Sequence, residues 1–263
     1  MNGKILCAYS LFSSSKGNCT YIKYGDSAIL IDAGASARGI AASLLQIGAD
    51  INEIKAVFIT HEHSDHIKGV GTLQKKYGIP VHAVDKCAEK MIELGLDASK
   101  IVFHDPIFCE RVGDIEISSF KTPHDSVCSV GYIIKCGDIK LAVATDMGII
   151  TDEADKAICG CDYVLIESNH DRDMLIFGEY PYILKQRILS SRGHLSNDDC
   201  AKEVCKIIKC GAKRIVLGHL SENNNTPQKA YDCTKALIEK ENLSGTFTLD
   251  VASPYSPVDL ISG

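Results

Sequence analysis

Residues 61–66 read His-Glu-His-Ser-Asp-His, directly behind the apolar run Ala56-Val57-Phe58-Ile59-Thr60. On an extended chain His61 and His63 project to one side, whereas Asp65 and His66 open the helix that follows. A tetrahedral ion takes about four ligands, so two differently directed pairs suit a cluster in which each pair begins the shell of a separate ion. The remaining donors are then expected at other strand ends. His124 follows "ISSFKTP", Asp146 follows "LAVAT" and His219 follows "IVLG". A lone histidine behind a strand is more often structural or solvated than a ligand; the combination points to two divalent ions per chain. Five imidazoles suit zinc, and the two aspartates also admit manganese. Two such ions, about 3.5–4 Å apart, hold a bridging hydroxide at neutral pH and clamp the attacking and leaving oxygens of a phosphodiester. They hydrolyse thioesters and lactones as well, so these donors define hydrolysis and leave the substrate open.

A second set of residues bears on the substrate. "VLIESNHD" ends a strand with Glu167-Ser168, and "SSRGHLSNDD" places His194 just before a helix whose N-cap is expected at Ser196 or Asn197. A helix N-terminus favours phosphate, and a histidine beside it is placed to protonate a departing 3′ oxygen. The plainer alternative has His194 capping its turn and Glu167 paired with Arg172 or Lys185. In the first loop, Ser15 and Asn18 either hydrogen-bond a phosphate or belong to a flexible turn. Arg172, Lys185, Arg187 and Arg192, between Glu167 and His194, either track a nucleic-acid backbone or form a solvated helix surface. His82, alternating within a strand, and His104, beside Asp105-Pro106, read as structural or exposed; His170 stays open.

The elements that must position these groups alternate. Strands are expected over Ile5–Ser10, Thr20–Tyr24, Ala28–Ile31, Lys55–Ile59, Val81–Ala83, Ile115–Phe120, Val130–Lys135, Ile139–Ala144, Tyr163–Ile166 and Arg214–Leu217. The segments "ARGIAASLLQIG", "HIKGVGTLQKKYG", "PYILKQRILSS", "SNDDCAKEVCKIIKCG" and "TPQKAYDCTKALIEKEN" carry helical spacing or stop at glycine. The class is mixed α/β, two groups of strands with helices outside, as in a layered sandwich. One domain over residues 1–263 is the simplest organisation, because no linker, repeat or low-complexity stretch interrupts it.

With 45% hydrophobic residues the chain can bury a sizeable core. A net charge of −6, from 28 basic and 34 acidic residues, contains no basic block announcing nucleic acid. Bound divalent ions would nevertheless place positive charge where a phosphate must sit. No apolar run approaches the ~20 residues that span a bilayer, so no membrane partner is expected. Lys4 and the apolar stretch behind it fall short of a signal peptide and read as the first strand. The twelve cysteines include no C-x-x-C pair, and Cys200, Cys205 and Cys210 on one helix cannot converge on an ion. They read as free thiols in a reducing cytoplasm.

Taken in order, "LIDAG", "HEHSDH", "PH", "TD" and "GH", from Asp32 to His219, resemble the metallo-β-lactamase fold superfamily. The resemblance implies a four-layered αβ/βα sandwich with two metals at its edge. His61, His63, His124 and Asp146 would hold one ion; Asp65, His66, Asp146 and His219 would hold the other, with Asp146 bridging. Asp32 would brace the histidine loop from behind. Glu167 and His194 resemble the Glu and His that nuclease branches place over the metals. More narrowly, "SLFSSSKGNCTYI", "LIDAGASARGI", "THEHSDHIKGV", "PHDSVCSVGY", "TDMG", "LIESNHD", "SSRGHLSN" and "LGHLSENNNTP" resemble the WalJ/YycJ/VicX family of bacterial metallohydrolases over nearly the whole chain. That family implies a cytoplasmic exonuclease acting 5′-to-3′ on double-stranded DNA. Ser13-Ser14-Ser15 departs from its usual Ser-Gly-Ser. Asp65, Glu167 and His194 are then the expected catalytic residues, and Ser15, Asn18, Ser168 and Arg192 the expected substrate contacts. A thioesterase or lactonase, an RNA-processing nuclease, or a binding protein that lost turnover are the rival readings. The last predicts damaged ligand positions, and all are filled.

Overall fold

Strands whose residues are apolar throughout need cover on both faces, and the chain supplies it with two facing sheets clad in helices. The computed structural model describes residues 4–261. The first sheet takes β1 (Leu6–Ser14), β2 (Gly17–Tyr24), β3 (Ser27–Ile31), β4 (Ile54–Phe58), β5 (Val81–Val84) and β6 (Ile101–His104). The second takes β7 (Cys109–Val112), β8 (Ile115–Lys121), β9 (Val130–Cys136), β10 (Ile139–Ala144), β11 (Tyr163–Glu167), β12 (Arg214–Gly218) and β13 (Thr248–Val251). The last strand, β14 (Val258–Ile261), returns to the first sheet beside β1, so the orders are β14-β1-β2-β3-β4-β5-β6 and β13-β12-β11-β10-β9-β8-β7.

Helices α1 (Ala37–Gln46), α2 (Ser64–Ile67), α3 (Val70–Tyr77) and α4 (Asp85–Glu93) follow strands of the first sheet. Helices α5 (Asp152–Ile158), α6 (Arg172–Phe177), α7 (Tyr182–Leu189), α8 (Asn197–Lys209) and α9 (Pro227–Lys240) belong to the second half. The larger core joins Leu11, Ile29, Ile117, Tyr132, Val143 and Val216 from both sheets to Ile40, Leu44 and Leu73 of the helices. A smaller one seals α5, α8 and α9 onto the second sheet through Ile158, Val204, Ile207, Ala230 and Ile238. This is the expected αβ/βα sandwich.

Topology creates the functional edge. Strand β3 is parallel to β4, and β10, β11 and β12 are parallel to one another. Strand β9 opposes both β8 and β10, so β8 runs with β10. The carboxyl ends of β3, β4, β8, β10, β11 and β12 therefore carry Asp32, His61, His124, Asp146, Glu167 and His219 to sheet edges, the usual place for a ligand site in open α/β sheets.

Several elements depart from the sequence expectations. Strand β1 runs on to Ser14, so the serine run is mostly strand and only residues 15–16 turn. The stretch 66–78 is two helices, α2 and α3, separated at Lys68-Gly69. Elements α4, α5, α6, β6, β7, β13 and β14 went unforeseen; α6 has six residues and β7 is half exposed, too short and too polar for periodicity to show. Cys159 and Cys210 are joined by a disulfide, with Cα atoms 5.6 Å apart. The expectation of free thiols is corrected for this pair: α5 and α8 end side by side, which a separation of 51 residues conceals. Cys200 and Cys205 are free and buried. Among the described residues no helix is long and apolar enough to cross a membrane.

Candidate metal centre and active-site cleft

The seven expected donors meet at one edge of the sandwich. Three sets of these donors lie close enough to share an ion: His61, His63 and His124; His61, His66 and Asp146; and Asp65, His66 and His219; a fourth set joins Asp146 and His219 to Glu167 and His194. His63 Nδ1 is 3.3 Å from His124 Nε2. His66 Nε2 lies 3.3 Å from Asp146 Oδ2 and 3.4 Å from Asp65 Oδ2, and His219 Nε2 lies 3.6 Å from both Asp65 Oδ2 and Asp146 Oδ1. Two ligands on a tetrahedral ion at about 2.0–2.1 Å stand roughly 3.4 Å apart, and these separations would suit side chains sharing an ion. Asp146 offers Oδ2 toward His66 and Oδ1 toward His124, at 3.7 Å, and His219.

Backbone conformation aims the donors. Asp32, Asp146 and His219 have φ of 61°, 58° and 54°, three of the four non-glycine residues with positive φ among those described. Each such residue costs of order 1 kcal/mol or more and persists only where surrounding structure over-determines it. Here the left-handed residue turns its side chain back over the strand end. Gly34 lets the Asp32 loop press on the histidine loop: a Cβ there would lie 1.6 Å from the Asp65 carbonyl oxygen, while Ala33 N–H donates to His66 O at 2.8 Å.

A bracing layer sets the tautomers. His66 Nδ1 donates to Asp32 Oδ2 at 2.7 Å. Thr60 Oγ1 donates to the same carboxylate and sits 3.1 Å from His61 Nδ1. His124 Nδ1 donates to Gly193 O at 3.1 Å, and His219 Nδ1 donates to Glu167 Oε1 at 2.8 Å. Four Nε2 atoms are thereby left facing inward, the arrangement that orients imidazole ligands. His61 Nε2, His219 Nε2 and Asp146 Oδ2 are buried without a hydrogen-bond partner. An orphaned buried polar atom costs about 1–3 kcal/mol; His61 and His219 belong to different donor sets, each of them sharing one with Asp146, so a pair of divalent ions would satisfy all three atoms.

The electrostatics agree. Burial, reinforced by neighbouring His66 and His124, holds His61 neutral, as a ligand must be. Burial would do the same to His66 and His219, but the charges of Asp32, Asp146 and Asp65 around the one, and of Asp146 and Glu167 around the other, outweigh it and raise both pKa values, His219 to about 10. Burial would raise Asp65 and Asp146; His66 and His219 hold both below the ordinary carboxylate range. Protons on two histidines thus balance buried carboxylates in the protein alone, and metal binding displaces those protons.

Since Asp32 belongs to none of the donor sets and orients His66 directly and His61 through Thr60, Asp32→Ala should weaken metal binding about 10- to 100-fold with the fold retained. Competition against a chromogenic chelator reads the affinity. Unchanged affinity would reduce Asp32 to a folding residue.

Beside the centre lies a cleft of about 250 Å³ whose walls include Ser15, His63, Asp65, Asp146, His194 and His219. His194 Nδ1 donates to Glu167 Oε1 at 2.7 Å, so Nε2 remains as its free ring nitrogen. Burial would lower the His194 pKa, yet the Glu167 charge and hydrogen bond raise it. Glu167 itself is fully buried behind the cleft, its Oε2 accepting from Met147 N at 3.0 Å and Leu195 N at 3.1 Å. It holds His194 and His219 rather than pairing with Arg172 or Lys185, and rather than standing over the cleft.

The substrate contacts expected from sequence divide. Ser15 lines the cleft. Asn18 is buried, donating to Ser14 O at 2.9 Å and lying 3.1 Å from His66 Nε2, so it backs the centre. Ser168 is turned away, its hydroxyl bonded to Asn197 Oδ1 at 2.7 Å, because neighbours on a strand alternate sides. Arg192 donates to His124 O at 3.0 Å and Ser126 O at 3.2 Å, and so clamps the His124 loop. The α8 N-terminus is capped by Ser196 and carries Asp198 and Asp199 in its first turn, with Arg172 on Asp199 at 2.6 Å. That end is already negative and is no phosphate seat. Sequence reasoning missed Asp125, which ion-pairs with Arg187 in the cleft wall, and the wall residues Asn169, Tyr180, Leu184, Ile188 and Ser221. Adjacency to His124 and His219 was the available signal for Asp125 and Ser221. His82 and His104 bond to each other at 2.9 Å, stacked between Phe58 and Phe108, and His170 is buried beside the start of α8.

A two-sheet sandwich with imidazole and carboxylate donors gathered at its edge defines a class, and comparison bears this out: a model of the beta-lactamase superfamily domain matches residues 27–220. Exodeoxyribonuclease YycJ of Bacillus anthracis is 34% identical over 254 residues, covering 95% of this chain and 96% of that protein. Exodeoxyribonuclease WalJ of Streptococcus pneumoniae serotype 2 is 39% identical over 228 residues, 85% of each chain. The metallo-β-lactamase fold protein YhfI of Bacillus subtilis superposes with a TM-score of 0.72 over 97% of this chain and all of that one, at 18% identity. The chain belongs to the beta-lactamase superfamily and, within it, to the WalJ/YycJ family. It is a metal-dependent hydrolase.

Proposed function

We propose that residues 1–263 act as one dinuclear phosphodiesterase domain that removes nucleotides from DNA ends in the cytoplasm, in the 5′-to-3′ direction. His61, His63, His124 and Asp146 would hold one ion and Asp65, His66, Asp146 and His219 the other. When bound, zinc or manganese lowers the pKa of an attacking water and withdraws charge from the phosphoryl oxygens. The chain's own residues do the rest. Glu167 fixes His194 with Nδ1 protonated and Nε2 free, and the raised pKa keeps a second proton on that nitrogen to give to the departing oxygen. Asp65 orients the centre from the cleft side.

The observation that carries this reading is the Glu167–His194 pair beside the donors. Alkoxide is a poor leaving group, and a diesterase needs a proton donor on that side. The names of the two relatives point to DNA. The test is a panel: metal-loaded protein with duplex DNA labelled at the 5′ or 3′ end, RNA of the same sequence, and a chromogenic lactone. Mononucleotides released from the 5′ end of duplex DNA are expected. Hydrolysis of the lactone alone would overturn the assignment.

A further inference from the structure

The cleft is polar in part and apolar in part. Its lining combines polar Ser15, Asp65, Asn169 and Ser221 with Tyr180, Leu184 and Ile188 of the α6–α7 segment. A nucleotide has the same division. Its phosphate must lie at the donors, and its base, a flat apolar surface a few ångströms away, then meets the wall of Tyr180, Leu184 and Ile188, where the neighbouring Arg187 is already paired with Asp125.

Three further observations mark this wall as a prepared surface. The Tyr180 hydroxyl accepts from Asn223 Nδ2 at 2.9 Å, which ties the ring to the loop that follows His219 and so to the donors. Lys185 of α7 donates to Ile176 O at 2.8 Å and Gly178 O at 2.7 Å, pinning the α6–α7 connection before any ligand arrives. The same segment exposes further apolar side chains: α7 buries none of its residues, and Phe177, Tyr182 and Ile183 are 83%, 75% and 83% exposed. A tyrosine in the wall of the cleft, with exposed aromatic and aliphatic side chains on the same segment, matches the way single strands are held, by stacking on side chains that distinguish no particular base.

We propose, resting on the nuclease reading, that Tyr180 with Leu184 and Ile188 is the seat of an unpaired nucleobase beside the scissile phosphate, and that α7 extends this seat for the next bases of a separated strand. A base lying on Tyr180 has left its partner and its neighbour. A duplex end must therefore fray before it is cut, at a cost that is smallest for mismatched or overhanging ends. The protein discriminates ends by their pairing rather than by their sequence.

The experiment compares wild type with Tyr180→Ala and Tyr180→Phe, each checked for unchanged thermal melting and metal content. Substrates are a blunt duplex closed by G·C pairs and the same duplex with three unpaired terminal nucleotides. A 2-aminopurine at the terminal position reports stacking when bound to His194→Ala protein, with and without Tyr180→Ala. Wild type is expected to prefer the unpaired end. Tyr180→Ala should raise KM for that end about 10-fold or more, narrow the preference and abolish the fluorescence change, whereas Tyr180→Phe keeps most of each. Equal KM and equal fluorescence in the alanine variant would overturn the seat. So would sedimentation showing that α7 is buried in a dimer of this chain, broken by Ile183→Glu without effect on DNA binding. Wild type that hydrolyses methyl p-nitrophenyl phosphate but no DNA would instead remove the nuclease reading, and the seat with it.

Discussion

His194→Ala should lose about 100- to 10,000-fold in kcat on DNA while keeping its full complement of metal. His194 lies within reach of Asp146, Glu167 and His219 but belongs to none of the sets that gather His61, His63, Asp65, His66 and His124, and its Nδ1 is committed to Glu167. Its removal leaves the donors and their braces standing and takes away a proton. The leaving group separates this role from a structural one. A thymidine p-nitrophenyl phosphate departs as a phenolate that needs no protonation, so the variant should be impaired on it far less than on DNA. Glu167→Gln should show the same pattern more weakly, with some loss of metal because His219 shares that carboxylate. If His194→Ala lost metal, or slowed both substrates equally, the histidine would be holding the site together instead.

The second large effect is expected at Asp146. Its two oxygens face donors of both clusters, and the residue sits buried at a positive φ that asparagine also tolerates. Asp146→Asn keeps shape and backbone while removing the shared charge. Binding of both ions should weaken together, and kcat should fall on the order of 1000-fold, the worth of several kcal/mol of charge stabilisation. Calorimetric titration with zinc and manganese checks it. Loss of one ion with the other intact would mean that Asp146 serves one cluster alone.

The donors were legible because their identities and their places behind apolar strands follow from local pattern: a strand that must be buried ends where the chain meets solvent, and His61, His124, Asp146 and His219 stand at such ends. What tied them together was not. The left-handed backbone at Asp32, Asp146 and His219, and the contact of Gly34 with the Asp65 carbonyl, arise only when loops distant in sequence are pressed together. Ser168 does not share the site with Glu167, because side chains alternate as the extended chain leaves β11 and the Ser168 hydroxyl turns to Asn197. From sequence Arg192 is a candidate backbone contact or a solvated helix residue, but the carbonyls of His124 and Ser126 hold its guanidinium. The apolar wall of Tyr180, Leu184 and Ile188 lay inside a stretch scanned for charge, and its meaning appears only beside the cleft.

The count of metal ions in the folded protein tests the central claim most directly. Wild-type chain dialysed against zinc or manganese and then freed of excess should retain two ions, measured by inductively coupled plasma mass spectrometry against protein concentration, and diffraction at the metal edge should place both between His61, His63, Asp65, His66, His124, Asp146 and His219. A single ion at saturation, or two ions bound elsewhere, would contradict it.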